Sequence, residues 1–328
     1  MRAALERSWY EQGRGWLALR PLATLFGGVV AARRLFYRRG WLHSEAVGVP
    51  VLVVGNITVG GSGKTPLTLA LIEKLQQRGL RVGVVSRGYG GQADTYPLDV
   101  GPDSDVAAVG DEPLMMALQS GARVVVDPRR PRGAQRLEQQ GVEIIIADDG
   151  LQHYALRRDA EIAVTDARRG LGNGALLPAG PLREPPSRLD TVDLSLVHGS
   201  NADFWLVPGA ALSLDGQGRR RELSQFVGTP VHAIAGIGDP RRFFHMLRGL
   251  GLDVIEHPMP DHHRYRAQDL DFGDDRPLLM TGKDAVKCRR FANTARCWQV
   301  PVRVAFSSDC EARIDALIDR LLAARQVR

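Results

Sequence analysis

Cysteine is scarce in this 328-residue sequence, which contains three, at positions 288, 297 and 310. An odd number without C-x-x-C spacing provides neither a disulfide framework nor the paired ligands of a zinc site, so a reducing compartment fits best. The longest uncharged stretch of the first 41 residues, 21–32, has 12 residues, whereas a membrane-spanning helix needs about 20. The basic segment before this stretch is unusually long for a secretory signal peptide. A membrane crossing and export are therefore both disfavoured.

Acidic residues are nearly missing from the N-terminal 41 residues. This segment has eight arginines against two glutamates, so its net charge of +6 equals that of the whole chain, and it holds seven of the 20 aromatic residues. Since the rest of the chain is balanced, nucleic-acid binding is not indicated. Arginines together with aromatic rings are typical of a helix in a membrane interface. An apolar stripe with helical spacing is formed by Leu5, Trp9, Trp16, Leu19, Ala23, Phe26 and Val30. The alternative is a terminal helix packed on its own domain or on a partner.

A glycine-rich loop follows the first strand-like run and precedes a helix-like segment that begins at Pro66. Its residues are Thr58, Val59, Gly60, Gly61, Ser62, Gly63, Lys64 and Thr65. Glycines let successive amides face an anion, Lys64 can reach terminal phosphates, and Thr65 can hold Mg²⁺. Thr58 replaces the first glycine of the general pattern, but the order of strand, loop and helix disfavours an ordinary glycine-rich turn. The sequence therefore predicts binding of a nucleoside triphosphate.

The pattern from Val49 onward alternates short β-branched runs with helical stretches, which predicts an α/β fold with a parallel sheet. Strands are expected at 51–54, 81–86, 123–127, 143–147, 162–166 and 194–198, with helices from Pro66, Asp111 and Pro131. A second α/β unit is expected to have strands at 231–235, 253–257, 277–281 and 302–306 and a closing helix at 311–325. The predicted organisation is an N-terminal segment 1–41, a P-loop core 42–203, a hairpin connector 204–228 and a smaller lobe 229–328.

Two acidic pairs are candidate site residues. Asp148 and Asp149 follow a buried apolar strand, and the carboxyl ends of such strands form the ligand-binding edge of open α/β sheets. Either carboxylate suits Mg²⁺ or nucleotide, with a simple turn aspartate as the alternative. Asp111 and Glu112 precede a helix, where acidic residues are commonly only caps.

Histidines and a lysine in the second unit are further candidates. His262 and His263 lie in one loop, where a histidine can accept or orient a proton, although loop histidines are usually only solvated. The segment from Thr281 to Asp284 is similar to a guanine-reading motif. That motif separates lysine and aspartate by one residue, whereas Lys283 and Asp284 are adjacent, so a GTPase is disfavoured.

Eight segments in a fixed order resemble one enzyme family: Val54–Pro66, Val85–Gly91, Gly110–Pro113, Asp148–His153, Gly172–Gly174, Leu177–Glu184, Asp261–His262 and Lys283–Lys287. Together they resemble the tetraacyldisaccharide 4′-kinases of lipid A biosynthesis, from about residue 20 to near the C-terminus. Threonine in place of the first P-loop glycine is a feature of that family.

The resemblance implies a P-loop NTPase-like domain with a second, smaller α/β domain, joined by a hairpin connector and preceded by an amphipathic helical segment. It implies transfer of the γ-phosphoryl group of ATP to the 4′-hydroxyl of an acylated glucosamine disaccharide 1-phosphate, which yields lipid IV-A. The expected location is the cytoplasmic face of the bacterial inner membrane, with no nucleic acid and no obligate protein partner. The rival hypothesis is a membrane-attached P-loop ATPase switch or loading factor without a lipid substrate.

Roles for single residues follow from the resemblance. The loop from Thr58 to Thr65 would bind ATP, and Thr65 with Asp148 or Asp149 would serve Mg²⁺. Asp111 would take the proton of the acceptor hydroxyl and pair with His262 across the cleft between the lobes. Lower-ranked cleft residues are Arg87, Tyr89, Gln152, His153 and Lys283, and His263 is expected to be structural or solvated.

Overall fold

The computed structural model describes residues 8–10, 15–291 and 294–325, which form 15 strands and eight helices labelled α1 to α8. The helices are α1 Arg20–Arg38, α2 Lys64–Gln77, α3 Val106–Val109, α4 Asp111–Ser120, α5 Arg130–Gln139, α6 Pro240–Gly249, α7 Gly282–Cys288 and α8 Ser308–Arg325. Short 3₁₀ turns lie at Gly15–Leu19, Pro186–Thr191, Leu223–Phe226 and Ala267–Leu270.

The larger sheet has nine strands: β1 Val51–Gly55, β2 Val82–Ser86, β3 Leu98–Val100, β4 Arg123–Val126, β5 Ile144–Asp148, β6 Ala160–Asp166, β7 Leu194–His198, β8 Phe204–Pro208 and β15 Val302–Phe306. Their order is β15-β8-β7-β6-β1-β5-β2-β4-β3, and β1 lies parallel between β5 and β6. Strands β1, β2 and β5 are buried along their whole length because helices cover both faces, which explains their continuous apolar sequences. The six strands predicted for the first unit are confirmed.

The smaller sheet has six strands: β9 Ala211–Ser213, β10 Arg220–Arg221, β11 Val231–Ala235, β12 Val254–Pro258, β13 Leu278–Thr281 and β14 Cys297–Val300. Strands β9 and β10 pair antiparallel at the edge of this sheet, so part of the segment 204–228 forms a hairpin. The first residues of that segment, Phe204–Pro208, do not belong to the hairpin but form β8 of the larger sheet. The two sheets confirm an α/β fold with a second, smaller α/β unit.

The prediction that residues 302–306 belong to the second unit is wrong. Strand β15 pairs antiparallel with β8 at the edge of the larger sheet, and α8 packs its apolar side, which includes Ile314 and Ile318, into the core of that sheet. The place expected for β15 in the smaller sheet is taken by β14, which the sequence analysis missed. Strand spacing along a sequence does not specify the sheet that a strand joins, and here the chain crosses back between β14 and β15.

The apolar stripe of helix α1 that was expected to lie in a membrane interface faces the protein instead. Residues of the predicted apolar stripe turn toward the domain, and Ala23 among them is buried, whereas Leu22, Leu25 and Val29 are 55%, 68% and 59% exposed. Leu5 and the side chain of Trp16 lie outside the described residues. None of the helices in the described ranges is long and apolar enough to cross a membrane. The expected stripe is therefore largely a packing surface, and a second apolar stripe faces outward.

Candidate active site

The loop between β1 and α2 has the backbone conformation that its glycines predict. Gly60 and Gly63 have left-handed φ angles of 101° and 91°, and a Cβ atom on Gly63 would lie 2.7 Å from Nδ1 of His198. Thr58 does not need a left-handed φ, and its hydroxyl accepts a hydrogen bond from Asn56 Nδ2 at 3.2 Å. Threonine therefore fits where the general pattern has glycine. The Val59 amide donates to the Pro181 carbonyl at 2.9 Å, so the amides that can face a phosphate are those after Val59.

Asp148, at the carboxyl end of β5, is buried beside this loop. Its Oδ2 accepts a hydrogen bond from Ser86 Oγ at 3.4 Å, whereas Oδ1 has no hydrogen-bond partner among the residues that the structure describes. Burial, followed by the negative charges of Glu112 and Asp149, raises the pKa of Asp148 well above its usual range. A buried carboxylate oxygen without a donor is costly unless a cation faces it, so this oxygen suits a metal ion.

Asp149 has the opposite environment, although it is the next residue. Its carboxylate lies 3.5 Å from Lys64 Nζ and accepts a hydrogen bond from Arg183 Nη1 at 2.9 Å. Burial alone would raise its pKa, but Lys64 and Arg183 outweigh burial and hold the pKa well below its usual range. Asp149 is therefore an ionised partner of the two cations, whereas Asp148 has an oxygen to spare.

Arg130, which the sequence analysis missed, lies at the same edge of the sheet. Its guanidinium is buried and donates from Nη2 to the carbonyl oxygen of Asp148 at 2.7 Å, while Nε and Nη1 find no acceptor within the described ranges. Burial lowers its pKa to about 10 despite the two aspartates nearby. The sequence feature that could have indicated Arg130 is its position just after β4, because the carboxyl ends of all parallel strands lie at this edge of the sheet.

Asp111 meets His262 across the cleft. Asp111 is the first residue of α4 in the larger lobe, and His262 follows β12 in the smaller one. His262 Nδ1 lies 3.0 Å from Asp111 Oδ2, and Asp111 is only 4% exposed. Burial would raise the pKa of Asp111, but the His262 hydrogen bond and the charges of Lys283 and Lys287 outweigh it and lower the pKa. The two residues that the resemblance pairs are thus in contact.

Lys283 and Glu112 connect this pair to the glycine-rich loop. Thr65 Oγ1 donates to Glu112 Oε2 at 3.3 Å, and Lys283 Nζ donates to Glu112 Oε1 at 3.1 Å. Burial would lower the pKa of Lys283, but Glu112, Asp111 and Asp261 outweigh burial and raise it. A cation from the smaller lobe therefore stays charged among these three acidic groups.

Other predicted residues occupy the edge of the site or lie outside it. Gln152 donates to the carbonyl oxygen of Asn56 at 3.1 Å, and burial together with nearby arginines lowers the pKa of His153 to about 3. The Tyr89 ring lies 5.1 Å from the His262 ring. His263 pairs with Asp269 at 3.2 Å, away from Asp111, as expected for a structural residue.

No cluster of three or more His, Cys, Asp or Glu side chains in the described part of the chain would hold a metal by itself. Mg²⁺ bound with a nucleotide needs few protein ligands, since phosphates and waters complete its octahedral shell. The unpartnered Oδ1 of Asp148 and the hydroxyl of Thr65 fit this limited requirement.

A loop shaped for phosphates, with a buried carboxylate in the same lobe and an imidazole that meets this carboxylate from the other lobe, is an arrangement suited to a P-loop kinase. The family model described as tetraacyldisaccharide-1-P 4′-kinase matches residues 15–319. The chain is 50% identical over 320 residues to the tetraacyldisaccharide 4′-kinase of Alkalilimnicola ehrlichii, covering 95% of this chain and 96% of that protein. It is 48% identical over 321 residues to that of Halorhodospira halophila, covering 96% and 97%.

A solved structure agrees with these relatives. The crystal structure of LpxK from Aquifex aeolicus in complex with ATP is similar with a TM-score of 0.78 and 28% identity, covering 93% of this chain and 99% of that one. The chain belongs to the tetraacyldisaccharide-1-P 4′-kinase family.

The conformation of the loop generates a prediction about its glycines. Gly63→Ala should lower the free energy of unfolding by about 1–3 kcal/mol, because the new side chain meets both a left-handed φ and the His198 ring. Gly61→Ala is the matched control, with no heavy atom within 4 Å of its Cβ and no left-handed φ, and should change stability by less than about 0.5 kcal/mol. Urea unfolding without nucleotide measures both, and equal effects would contradict the assignment.

Proposed function

We propose that this chain transfers the γ-phosphoryl group of ATP to the 4′-hydroxyl of a tetraacylated glucosamine disaccharide 1-phosphate, and so forms lipid IV-A in lipid A biosynthesis. The observation that carries the proposal is the contact of Asp111 with His262 opposite a phosphate-binding loop, in a chain of this family. Phosphoryl transfer depends on positioning and on charge neutralisation more than on covalent chemistry by the protein. The site offers both.

The nucleotide would be held by the loop from Thr58 to Thr65. Its backbone amides and the start of α2 face the phosphates, and Lys64 contributes a positive charge. In the structure Lys64 lies 3.5 Å from Asp149, which also has Arg183 as a partner. Lys64 can therefore turn to a phosphate without leaving Asp149 unpaired.

Magnesium would be held by Thr65 and Asp148, because these residues offer a hydroxyl and an unpartnered carboxylate oxygen beside the loop. When bound, Mg²⁺ neutralises charge on the β- and γ-phosphate oxygens. Asp149, already occupied by Lys64 and Arg183, would keep those two cations in place instead of contacting the metal.

Asp111 would accept the proton of the acceptor hydroxyl. Its lowered pKa keeps it ionised at neutral pH, and its contact with His262 orients the carboxylate. The hydroxyl oxygen forms the new bond to the γ-phosphorus while the bond to the β,γ-bridging oxygen breaks, and ADP leaves with those electrons. Because Asp111 and His262 come from different lobes, the base is complete only when the lobes meet.

The lipid acceptor would be reached at the cytoplasmic face of the inner membrane. Helix α1 exposes Leu22, Leu25 and Val29 and also carries Arg20, Arg33, Arg34 and Arg38, which is the composition of a helix that lies in a membrane interface. This contact is peripheral and needs no membrane-spanning segment.

The kinase activity can be tested with variants of Asp111 and the two neighbouring histidines. Asp111→Asn should lower kcat by roughly 10²- to 10⁴-fold, because the amide keeps the shape but cannot accept the proton. His262→Ala should also be impaired, whereas His263→Ala, a matched change in the same loop, should retain activity. Transfer of label from γ-labelled Mg-ATP to the purified lipid disaccharide measures the reaction.

Two results would contradict this account. Unchanged lipid phosphorylation by Asp111→Asn would remove that residue from the mechanism. Release of inorganic phosphate by the wild-type protein, without any labelled lipid, would favour an ATPase switch over a lipid kinase.

The two aspartates give a second test. Asp148→Asn should raise the Mg²⁺ concentration needed for half-maximal activity by roughly 10- to 100-fold. Substitutions of residues that only support a metal ligand already lower metal affinity on this scale. Asp149→Asn removes the same charge one residue away and should instead raise KM for ATP, because Lys64 and Arg183 lose their partner. Titration of Mg²⁺ at saturating ATP separates these effects. An equal or larger Mg²⁺ shift in Asp149→Asn would reverse the assignment.

The membrane contact can be tested on the exposed stripe of α1. The double variant Leu25→Glu with Val29→Glu should weaken binding to anionic vesicles at least about tenfold, since apolar burial contributes about 0.8 kcal/mol per CH₂ group. Activity on detergent-dispersed substrate should persist. The matched control is Val227→Glu with Leu250→Glu, two exposed apolar residues elsewhere. Cosedimentation measures binding, and equal loss in both double variants would refute a specific role for α1.

A further inference from the structure

Lys283 contacts the ring nitrogen of His262 that does not face Asp111. Its Nζ lies 3.3 Å from His262 Nε2, while His262 Nδ1 lies 3.0 Å from Asp111 Oδ2. The ammonium also lies 3.1 Å from Glu112 Oε1 and 3.3 Å from Asp261 Oδ1, and its side chain is 14% exposed. Both ring nitrogens of His262 therefore have a defined partner.

The chemistry of these partners determines where the proton of His262 lies. A lysine ammonium has three donors and no acceptor, so a hydrogen bond with Nε2 requires that this nitrogen accepts. Asp111 Oδ2 lies 3.9 Å from Lys283 Nζ and 3.7 Å from Lys287 Nζ, and a carboxylate held by two ammonium groups only accepts. Nδ1 must therefore carry the proton and donate. The two contacts agree on one form, the neutral Nδ1–H tautomer.

The competing form, an imidazolium, fits these contacts poorly. It would place an N–H group against the Lys283 ammonium, donor against donor and positive charge against positive charge. The one carboxylate near Nε2 is Asp261 among the described residues, and its Oδ2 is 3.7 Å away, too far for a hydrogen bond. Lys287 Nζ lies 3.7 Å from Asp111 Oδ2 and gives the carboxylate a second positively charged neighbour besides Lys283. The carboxylate therefore does not need an imidazolium to balance its charge.

The position of Lys283 in its helix also indicates a role beyond local stability. Lys283 is the second residue of α7, where the helix dipole disfavours a cation. Thr281 caps this helix by accepting a hydrogen bond from the Asp284 amide, and helix α7 packs on α4, which begins at Asp111. The fold thus holds an ammonium at a helix start that would favour an anion, and it directs that ammonium at the site.

We propose that Lys283 is a positioning residue that fixes His262 as the neutral Nδ1–H tautomer, so that His262 orients Asp111 but does not relay its proton. The proposal rests on the proposed function, because it assigns the destination of the acceptor proton in that reaction. The hydroxyl proton passes to a carboxylate oxygen of Asp111. It cannot continue to Nδ1, which is already protonated, and Lys283 covers Nε2, so it stays on Asp111 until product leaves.

The test is a ¹⁵N spectrum of histidine-labelled protein without nucleotide, which reads each ring nitrogen as protonated or unprotonated. The chain has eight histidines, and the His262 signals are assigned by their loss in His262→Asn, a residue that tolerates the left-handed φ of 60° at this position. At neutral pH the wild type should show a protonated Nδ1 and an unprotonated Nε2. Lys283→Met should give proton occupancy at Nε2, and Lys283→Arg, which also only donates, should restore the wild-type pattern.

Kinetics provide the second readout. Lys283→Met should lower kcat roughly 10- to 100-fold, the scale expected when a reacting group loses its orientation, while KM for ATP changes less than about twofold. Lys283→Arg should recover part of kcat. Lys74→Met is the matched control, because Lys74 pairs with Glu311 and Asp315 on the far side of the larger domain, and it should leave kcat unchanged.

A wild-type spectrum with a protonated Nε2, or a Lys283→Met spectrum identical to the wild type, would overturn the proposal. These outcomes do not depend on turnover, so they are distinguishable from failure of the kinase function, which is seen as absence of labelled lipid in the wild type.

Discussion

The arrangement of the two lobes depends on a buried cluster of charges between them. Asp111 loses nearly all its contact with water, and its compensating partners, His262, Lys283 and Lys287, all come from the smaller lobe. A buried carboxylate without such partners would take up a proton and could no longer serve in the proposed role of a base. The chain has four lysines, at positions 64, 74, 283 and 287, and all but Lys74 lie within 4 Å of a carboxylate of this site. The cations of the smaller lobe are therefore what keeps Asp111 ionised when the association of the lobes buries it.

The same reasoning explains why two adjacent aspartates differ. Asp148 belongs to a strand and is buried at the edge of the sheet, where Ser86 is the single hydrogen-bond donor to its carboxylate among the described residues. Asp149 leaves the strand with a left-handed φ of 46°, which turns its carboxylate toward Lys64 and Arg183. A change of backbone direction over one residue separates a carboxylate that is short of positive charge from one that is saturated with it. This division suits the proposed binding of a metal and a polyphosphate side by side.

Much of the larger sheet could be predicted from sequence, because strands buried on both faces have continuous apolar runs and the glycine-rich loop marks the order of its elements. The unit to which 302–306 belongs could not be predicted, since pairing with β8 is decided by contacts nearly a hundred residues apart. Arg130 was missed because a lone arginine after a strand has no distinctive pattern until its burial is known. The side of α1 that packs on the protein could not be predicted, because apolar residues occur on two sides of this helix and periodicity does not say which side meets protein. The contact of Asp111 with His262 was expected from family resemblance alone, because neither residue has a local signal strong enough to indicate the other.

The connection between the lobes has a consequence for motion and for assembly. The chain leaves the larger sheet through β8 and returns through β15, its antiparallel neighbour, and the Gly209 amide donates to the Pro301 carbonyl at the point where both depart. A ribbon of two paired strands can bend and twist, but it does not allow free rotation. The smaller lobe is therefore attached through a stiff connection, and the strand pairing sets the direction in which this lobe can move. Strand β15 and helix α8 follow the smaller lobe in the sequence. The ribosome must therefore synthesise the whole smaller lobe before the outer edge of the larger sheet can be completed.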